Sequence, residues 1–146
     1  MEPGLTRRNW LAGPPGRPYK RRGQEQEGCG IVYVVTGGAG FIGSNVTAAL
    51  EERRQGKVVV CDRLGDGDKW LNIAKRELAD VISPEDLLPF LDDNGSGIRA
   101  VVHMGAISAT TARTSDRIVD TNFRLPLRLW RWCADRQVPF IYASSA

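Results

Sequence analysis

Apolar residues in this chain come in short runs, divided by glycine-rich or polar breaks, and the runs alternate with stretches of helical spacing. Ile31-Val32-Tyr33-Val34-Val35 and the run from Lys57 to Cys61 are rich in β-branched residues, the pattern of strands covered on both faces. Ile98-Arg99-Ala100-Val101-Val102-His103-Met104 and Val138-Pro139-Phe140-Ile141-Tyr142-Ala143 predict two more strands. A further short strand lies within Arg76 to Ile82 and is expected to end near Asp80-Val81. Between the first two runs, Ser44 to Gln55 reads as a helix. A second helix opens at Ser83-Pro84-Glu85-Asp86, with a capping serine, proline at the first helical position and acids in the first turn. It turns Leu87, Leu88 and Leu91 inward and breaks by Asn94-Gly95. Thr114-Ser115 caps a third helix, from about Asp116 to Arg136, with Leu125, Leu129, Trp132 and Cys133 on its core face. Pro126 inside that helix removes a backbone donor, which predicts a kink near Asn122–Leu125.

Strands alternating with helices imply an α/β fold, a doubly wound parallel sheet of about five strands with right-handed crossovers. Ligands of such sheets bind beyond the carboxyl ends of the strands. The chemistry-bearing residues gather there: Gly37 to Gly43, Asp62, Asp80, Gly105 to Ser108, and Ser144-Ser145. Gly37 permits a tight turn out of the first strand, Gly40 lets the backbone approach a pyrophosphate, and Gly43 lets the helix lie close on the strand. Amides at the helix start have no intrahelical partner, so they and the helix dipole favour an anion. Asp62, 19 residues beyond Gly43, stands at the tip of the second strand, where a carboxylate accepts from ribose hydroxyls. A glycine triplet alone is weak; in its strand–turn–helix–strand setting, with an acid at this distance, it marks a dinucleotide site of the Rossmann type.

The loop after Asp62 refines the expected cofactor. Arg63 and Lys69 offer cations to a phosphate on the adenosine ribose, which favours NADP, whereas the Asp62 carboxylate repels that phosphate and favours NAD. The cationic pair tips the expectation to NADP. Asp66-Gly67-Asp68 suggests a calcium loop, but the closing glutamate in register is missing. The loop Gly105-Ala106, with Ser108, Thr110 and Thr111, lets a ligand approach a strand end or serves as an ordinary polar turn.

Composition adds less. Hydrophobic residues are 42% of the 146, enough for the core of one domain. Residues 1–28 carry Arg7, Arg8, Arg17, Lys20, Arg21 and Arg22 against three glutamates, which accounts for the net charge of +3; the 14 basic and 14 acidic residues that follow cancel. The domain therefore gives no nucleic-acid signal. Gly13-Pro14-Pro15-Gly16-Arg17-Pro18 and weak apolar periodicity make residues 1–28 either a disordered basic tail or an upstream extension from a misplaced start codon. Thr6-Arg7-Arg8-Asn9-Trp10-Leu11 has the form of a twin-arginine signal without the apolar core that must follow it, and no stretch nears 18 apolar residues. No membrane association and a cytoplasmic location are expected. Cys29, Cys61 and Cys133 are scattered and odd in number, as reduced thiols are, and a lone His103 argues against a metal cluster or a serine–histidine triad.

Thr36-Gly37-Gly38-Ala39-Gly40-Phe41-Ile42-Gly43 resembles the cofactor fingerprint of the extended short-chain dehydrogenases/reductases, the nucleotide-sugar epimerases and dehydratases. The likeness runs from Ile31 to Ala146. It is narrowed by Phe41-Ile42-Gly43-Ser44-Asn45, by Asp66-Gly67-Asp68-Lys69-Trp70-Leu71-Asn72, by His103-Met104-Gly105-Ala106 with Ser108 and Thr110-Thr111, and by Tyr142-Ala143-Ser144-Ser145-Ala146. These point to the branch acting on an ADP-heptose-type nucleotide sugar. By that resemblance Phe41 and Ile42 give backbone amides to the cofactor, while Asp62, Arg63 and Lys69 hold the adenosine ribose and its phosphate. Asp80 and Val81 flank the adenine. Gly105, Ala106 and Ser108 line the nicotinamide side with Asn122 beside them, and Ser145 matches the catalytic serine.

Two departures stand out. Ser83-Pro84 replaces a lysine that the family often carries before the second helix. The family's proton-transfer pair, tyrosine with lysine four positions on, is missing: Tyr19, Tyr33 and Tyr142 are followed at that offset by Gly23, Gly37 and Ala146. The chain thus reads as the N-terminal part of a longer epimerase, inactive alone, whose whole form allows a homo-oligomer. The implied reaction is redox-neutral epimerisation at C6, supplying heptose for a lipopolysaccharide core. Another nucleotide-sugar epimerase or dehydratase, or a non-catalytic nucleotide-binding module, is the alternative.

Overall fold

The structure is a computed structural model and describes residues 30–107 and 115–144. Five strands form one parallel sheet: β1 (Val32–Thr36), β2 (Lys57–Cys61), β3 (Asp80–Ile82), β4 (Ile98–His103) and β5 (Phe140–Tyr142), in the order β3-β2-β1-β4-β5. The order reverses at β1: the chain winds outward to β3, then crosses back to β4 on the other side. That reversal opens a crevice beyond the ends of β1 and β4.

The central strands put apolar residues on both faces of the sheet. Val34, Val59 and Val101 turn to one face, where α2 (Leu87–Asn94) and α4 (Leu125–Asp135) add Leu87, Phe90, Leu91, Leu129 and Trp132. Val35, Val58 and Val102 turn to the other, against Val46 and Leu50 of α1 (Phe41–Glu52). Trp132 Nε1 donates to Asp92 Oδ1 at 2.8 Å and ties α4 to α2. Among the described residues, no helix is long and apolar enough to cross a membrane.

Several boundaries differ from the expectation. Helix α1 starts at Phe41, three residues early, because Gly40 is itself the N-cap, and it ends at Glu52 before Arg54 turns left-handed at φ 49°. Helix α2 starts at Leu87 because Ser83 to Asp86 close a separate turn, Asp86 N–H donating to the Ser83 carbonyl at 3.1 Å. Its buried face is Leu87, Phe90 and Leu91, with Leu88 only partly covered. The expected kink takes the form of a π-helical segment, Asp120–Arg124, between α3 (Ser115–Val119) and α4. Pro126 has no N–H for the carbonyl four residues back, so the turn before it widens. Thr114 lies outside the described residues, and Ser115 is already helical.

Candidate nucleotide-binding site

The turn after β1 is built by packing, and each of its glycines answers to a different contact. Gly37 takes φ +66°, and a Cβ there would stand 2.6 Å from the Gly105 nitrogen, since the turn lies directly on the loop after β4. A Cβ on Gly43 would fall 2.1 Å from the Gly37 carbonyl oxygen, because α1 rests on the turn. Gly40 is the exception: its Cβ would meet only the Gly37 carbonyl, at 3.1 Å. The missing side chain at Gly40 therefore leaves the crevice open, whereas at Gly37 and Gly43 it is the protein itself that needs the room.

Behind Gly40 the first amides of α1 face the crevice. The N-cap supplies no side chain to satisfy them, and the first turn holds no acid. This helix start is a positive dipole end without a side-chain cap, the local chemistry of a phosphate site. The crevice above it measures about 500 Å³. Gly37, Gly40, Phe41, Ile42, Gly43, Asp62, Arg63, Lys69, Gly105 and Ala106 all line it, so ten residues singled out from sequence converge on one cavity.

At the far rim Asp62 follows β2 immediately, with its amide donating to the Ile82 carbonyl at 3.0 Å. Its carboxylate is already engaged. Oδ2 accepts the Ala39 N–H at 2.9 Å, and Oδ1 accepts the Arg63 N–H at 2.7 Å together with the Lys69 ammonium. Three of roughly four acceptor positions are thus filled, leaving about one for a ribose hydroxyl. Asn72 Nδ2 donates to the Ala39 carbonyl at 2.8 Å, so both sides of the Ala39 residue are pinned by the loop after β2. The Arg63 guanidinium is bound by the Glu85 carboxylate.

On the β4 side, Thr36 and His103 are register partners at the ends of adjacent strands, and Thr36 Oγ1 meets His103 Nδ1 at 2.6 Å in a buried hydrogen bond. Gly105 N–H approaches the same hydroxyl at 3.3 Å. A hydroxyl that accepts from Gly105 and donates to Nδ1 would satisfy all three groups and suits a neutral imidazole. Burial pushes the His103 pKa down, in the same direction. Asn122, on the π segment, exchanges two hydrogen bonds with Ile107: it accepts the Ile107 N–H at 2.8 Å and donates to the Ile107 carbonyl at 2.9 Å. It thereby holds the Gly105 loop as an extra strand would. Cys61 also borders the crevice, but burial, with Asp62 beside it, lifts its thiol pKa to about 12 and makes it a poor nucleophile.

The third strand is placed one residue later than expected. Asp80 opens β3, paired with Val59. The strand runs on to Ile82, and Pro84, past its end, reaches the rim. Ser108 and Ser145 lie outside the described residues, as do Thr110 and Thr111. Sequence reasoning missed the Thr36–His103 pair, the Asn72 anchor, and Arg117 and Thr121, which line the crevice from α3 and the π segment. The first had a signal: both polar residues immediately precede glycine-bearing loops at the ends of apolar strands.

Known proteins share this arrangement. The profile of the NAD dependent epimerase/dehydratase family matches residues 33–146. An ADP-L-glycero-D-manno-heptose-6-epimerase of Fusobacterium nucleatum is 45% identical over 117 residues, which are 79% of this chain and 35% of that protein. The crystal structure of Helicobacter pylori ADP-L-glycero-D-manno-heptose-6-epimerase superposes with a TM-score of 0.65 at 27% identity, covering 80% of this chain and 39% of that one. A UDP-glucuronic acid 4-epimerase from Bacillus cereus, solved with UDP-glucuronic acid and NAD, gives 0.64 at 28% identity over 80% of this chain and 40% of its own. The chain spans little more than a third of the length of these relatives. By the profile match, and by the sheet that carries it, the chain belongs to the NAD-dependent epimerase/dehydratase family.

Proposed function

We propose that residues 29–146 form the cofactor-binding part of a nucleotide-sugar epimerase acting on an ADP-heptose at C6, with NADP bound and NAD as the alternative cofactor. The observation that carries the cofactor reading is the uncapped start of α1, opening through Gly40 onto the crevice. The 45% identity to the Fusobacterium enzyme supports the sugar. A bound nicotinamide supplies transient oxidation and re-reduction of the sugar carbon, so the net reaction is an isomerisation.

The residues of this chain bind and orient. The amides of Phe41 and Ile42 would take the diphosphate, with Gly40 keeping the approach clear. Lys69 and Arg63 would face the adenosine ribose phosphate and Asp62 the ribose hydroxyl. Gly105 and Ala106, held by Asn122 and Thr36, would present bare backbone to the nicotinamide side, continued by Ser108. Ser145, following β5, would hydrogen-bond the reacting oxygen. Moving that oxygen's proton requires a tyrosine beside a lysine, which none of Tyr19, Tyr33 or Tyr142 provides, and the longer relatives have room for such a pair beyond the matched region. Residues 1–28 fall outside this part. The whole enzyme is proposed to work in the cytoplasm, in heptose supply for a lipopolysaccharide core, in a form that allows a homo-oligomer.

Titration of the purified chain with NADP and NAD, followed by calorimetry, tests the reading. Saturable binding of at least one is expected, with Gly40→Val weakening it at least about tenfold while the fold survives. No binding of either dinucleotide to the folded chain would overturn it, and robust epimerisation by these 146 residues alone would overturn the assignment of proton transfer to a missing pair.

A further inference from the structure

The two cations at the ribose end of the crevice are held differently. Lys69 is paired with Asp62, whose side chain is only 7% exposed and is fixed by two backbone amides besides. Arg63 is paired with Glu85, and here both side chains are more than half exposed, at 52% and 57%. The position of Glu85 is nonetheless built. It occupies the third place of the turn Ser83 to Asp86, with Pro84 presetting the second place. Ser83 Oγ donates to Asp86 Oδ2 at 2.7 Å and closes the turn a second time. Pro84 borders the crevice, and Glu85, the next residue, meets it through Arg63, which lines it. Its own backbone N–H, opposed by desolvation and reinforced by the Arg63 side chain, holds its carboxyl below the usual range. It is an anion at neutral pH.

We infer that Glu85 is a cofactor-specificity residue: its carboxylate occupies the Arg63 guanidinium that a ribose 2′-phosphate would need, and so weakens NADP relative to NAD. The inference rests on the nucleotide reading proposed above. A phosphate reaching Arg63 must displace the carboxylate and then sit beside it, whereas the plain diol of NAD needs neither step. Asp62 is the lesser obstacle, because Lys69 neutralises it and the Ala39 amide takes one of its oxygens. The Arg63–Glu85 pair is solvated, so its removal shifts preference by a modest factor rather than switching it.

Titrating NADP and NAD against the unchanged chain, Glu85→Gln, Arg63→Ala and the double variant separates the terms. Glu85→Gln is expected to tighten NADP about three- to tenfold and to move NAD less than about twofold. In the Arg63→Ala background most of that gain should vanish, because the carboxylate acts through the guanidinium. Glu52→Gln removes an equal charge from the other end of α1 and should leave the ratio unmoved. A shift in the NADP/NAD ratio below about twofold in Glu85→Gln, or an equal shift with and without Arg63, overturns the inference while the nucleotide site stands. Failure of the unchanged chain to bind either dinucleotide overturns the site itself, and this inference with it.

Discussion

The two ends of the crevice are made of different materials. At the diphosphate end the working groups are backbone: the turn Gly37 to Gly40, the first amides of α1, and the Gly105 loop lying on Gly37. At the ribose end they are side chains, Asp62 with Lys69 and Arg63 with Glu85. Backbone in contact with backbone has no slack, so the first end should respond to substitution by failing outright. Charged side chains in partial solvent trade partners cheaply, so the second should respond by degrees.

The sharpest way to break this contrast is Gly37→Val. The variant would put a β-branched side chain at φ +66° and 2.6 Å from the Gly105 nitrogen, and the three nearest atoms there, of Gly105 and Met104, are all backbone. A loss of about 3 kcal/mol or more in unfolding free energy is expected by urea denaturation, and dinucleotide binding should disappear with it. A Gly37→Val chain of unchanged stability would mean that the turn is softer than its packing implies.

At the ribose end the matching change is Arg63→Ala with Lys69→Ala. Arg63 is more than half exposed and its loss should cost little, whereas Lys69→Ala takes the cation from a nearly buried Asp62 that keeps two backbone amides, so a loss of about 1–2 kcal/mol in unfolding free energy with the fold retained is expected. The NADP/NAD affinity ratio should fall about tenfold, close to 1.4 kcal/mol. An unchanged ratio would remove these cations from the cofactor reading.

The same contrast explains what could be read in the sequence. The backbone end was legible because glycine carries its meaning locally: Gly37, Gly40 and Gly43 sit in one turn, and their spacing alone states the geometry. The central strands β1, β2 and β4 were also legible, since valine-containing apolar runs of five or six residues favour strands, while the short edge strands β3 and β5 were legible only as existing. The side-chain end was legible only as composition. That Arg63 meets Glu85, 22 positions on, depends on how the chain returns from β3, and the helix start assigned at Ser83 hid the turn that carries Glu85. Asp80 was placed at a strand tip for a related reason: three residues of β3 give too little pattern to fix where pairing begins. Pro126 shows a partial success, because its missing donor announces a break while only the helix packing decides that the break becomes a π segment.

The smallest effect belongs to the buried pair that bridges the two halves of the sheet. Thr36 and His103 are 67 positions apart, and their hydrogen bond suits a neutral ring. Protonation would make Nδ1 a donor, forcing the Thr36 hydroxyl to turn away from it inside a buried site. Burial lowers the folded pKa from 6.5, so between that value and the folded one the unfolded chain binds more protons than the folded chain. Stability contributed by the neutral ring is therefore complete above about pH 6.5 and is lost as pH falls below it. His103 is the sole histidine, and Glu85, lowered from 4.5, titrates well beneath this window. Urea midpoints measured from pH 7.5 down to 5.5 should be flat at first and then decline by up to about 1 kcal/mol. In His103→Gln, which keeps a polar partner for Thr36 but cannot titrate, the curve should stay level over that range. A decline of the same size in both proteins would assign the slope to carboxylates and leave the strand-end pair without a role in the pH response.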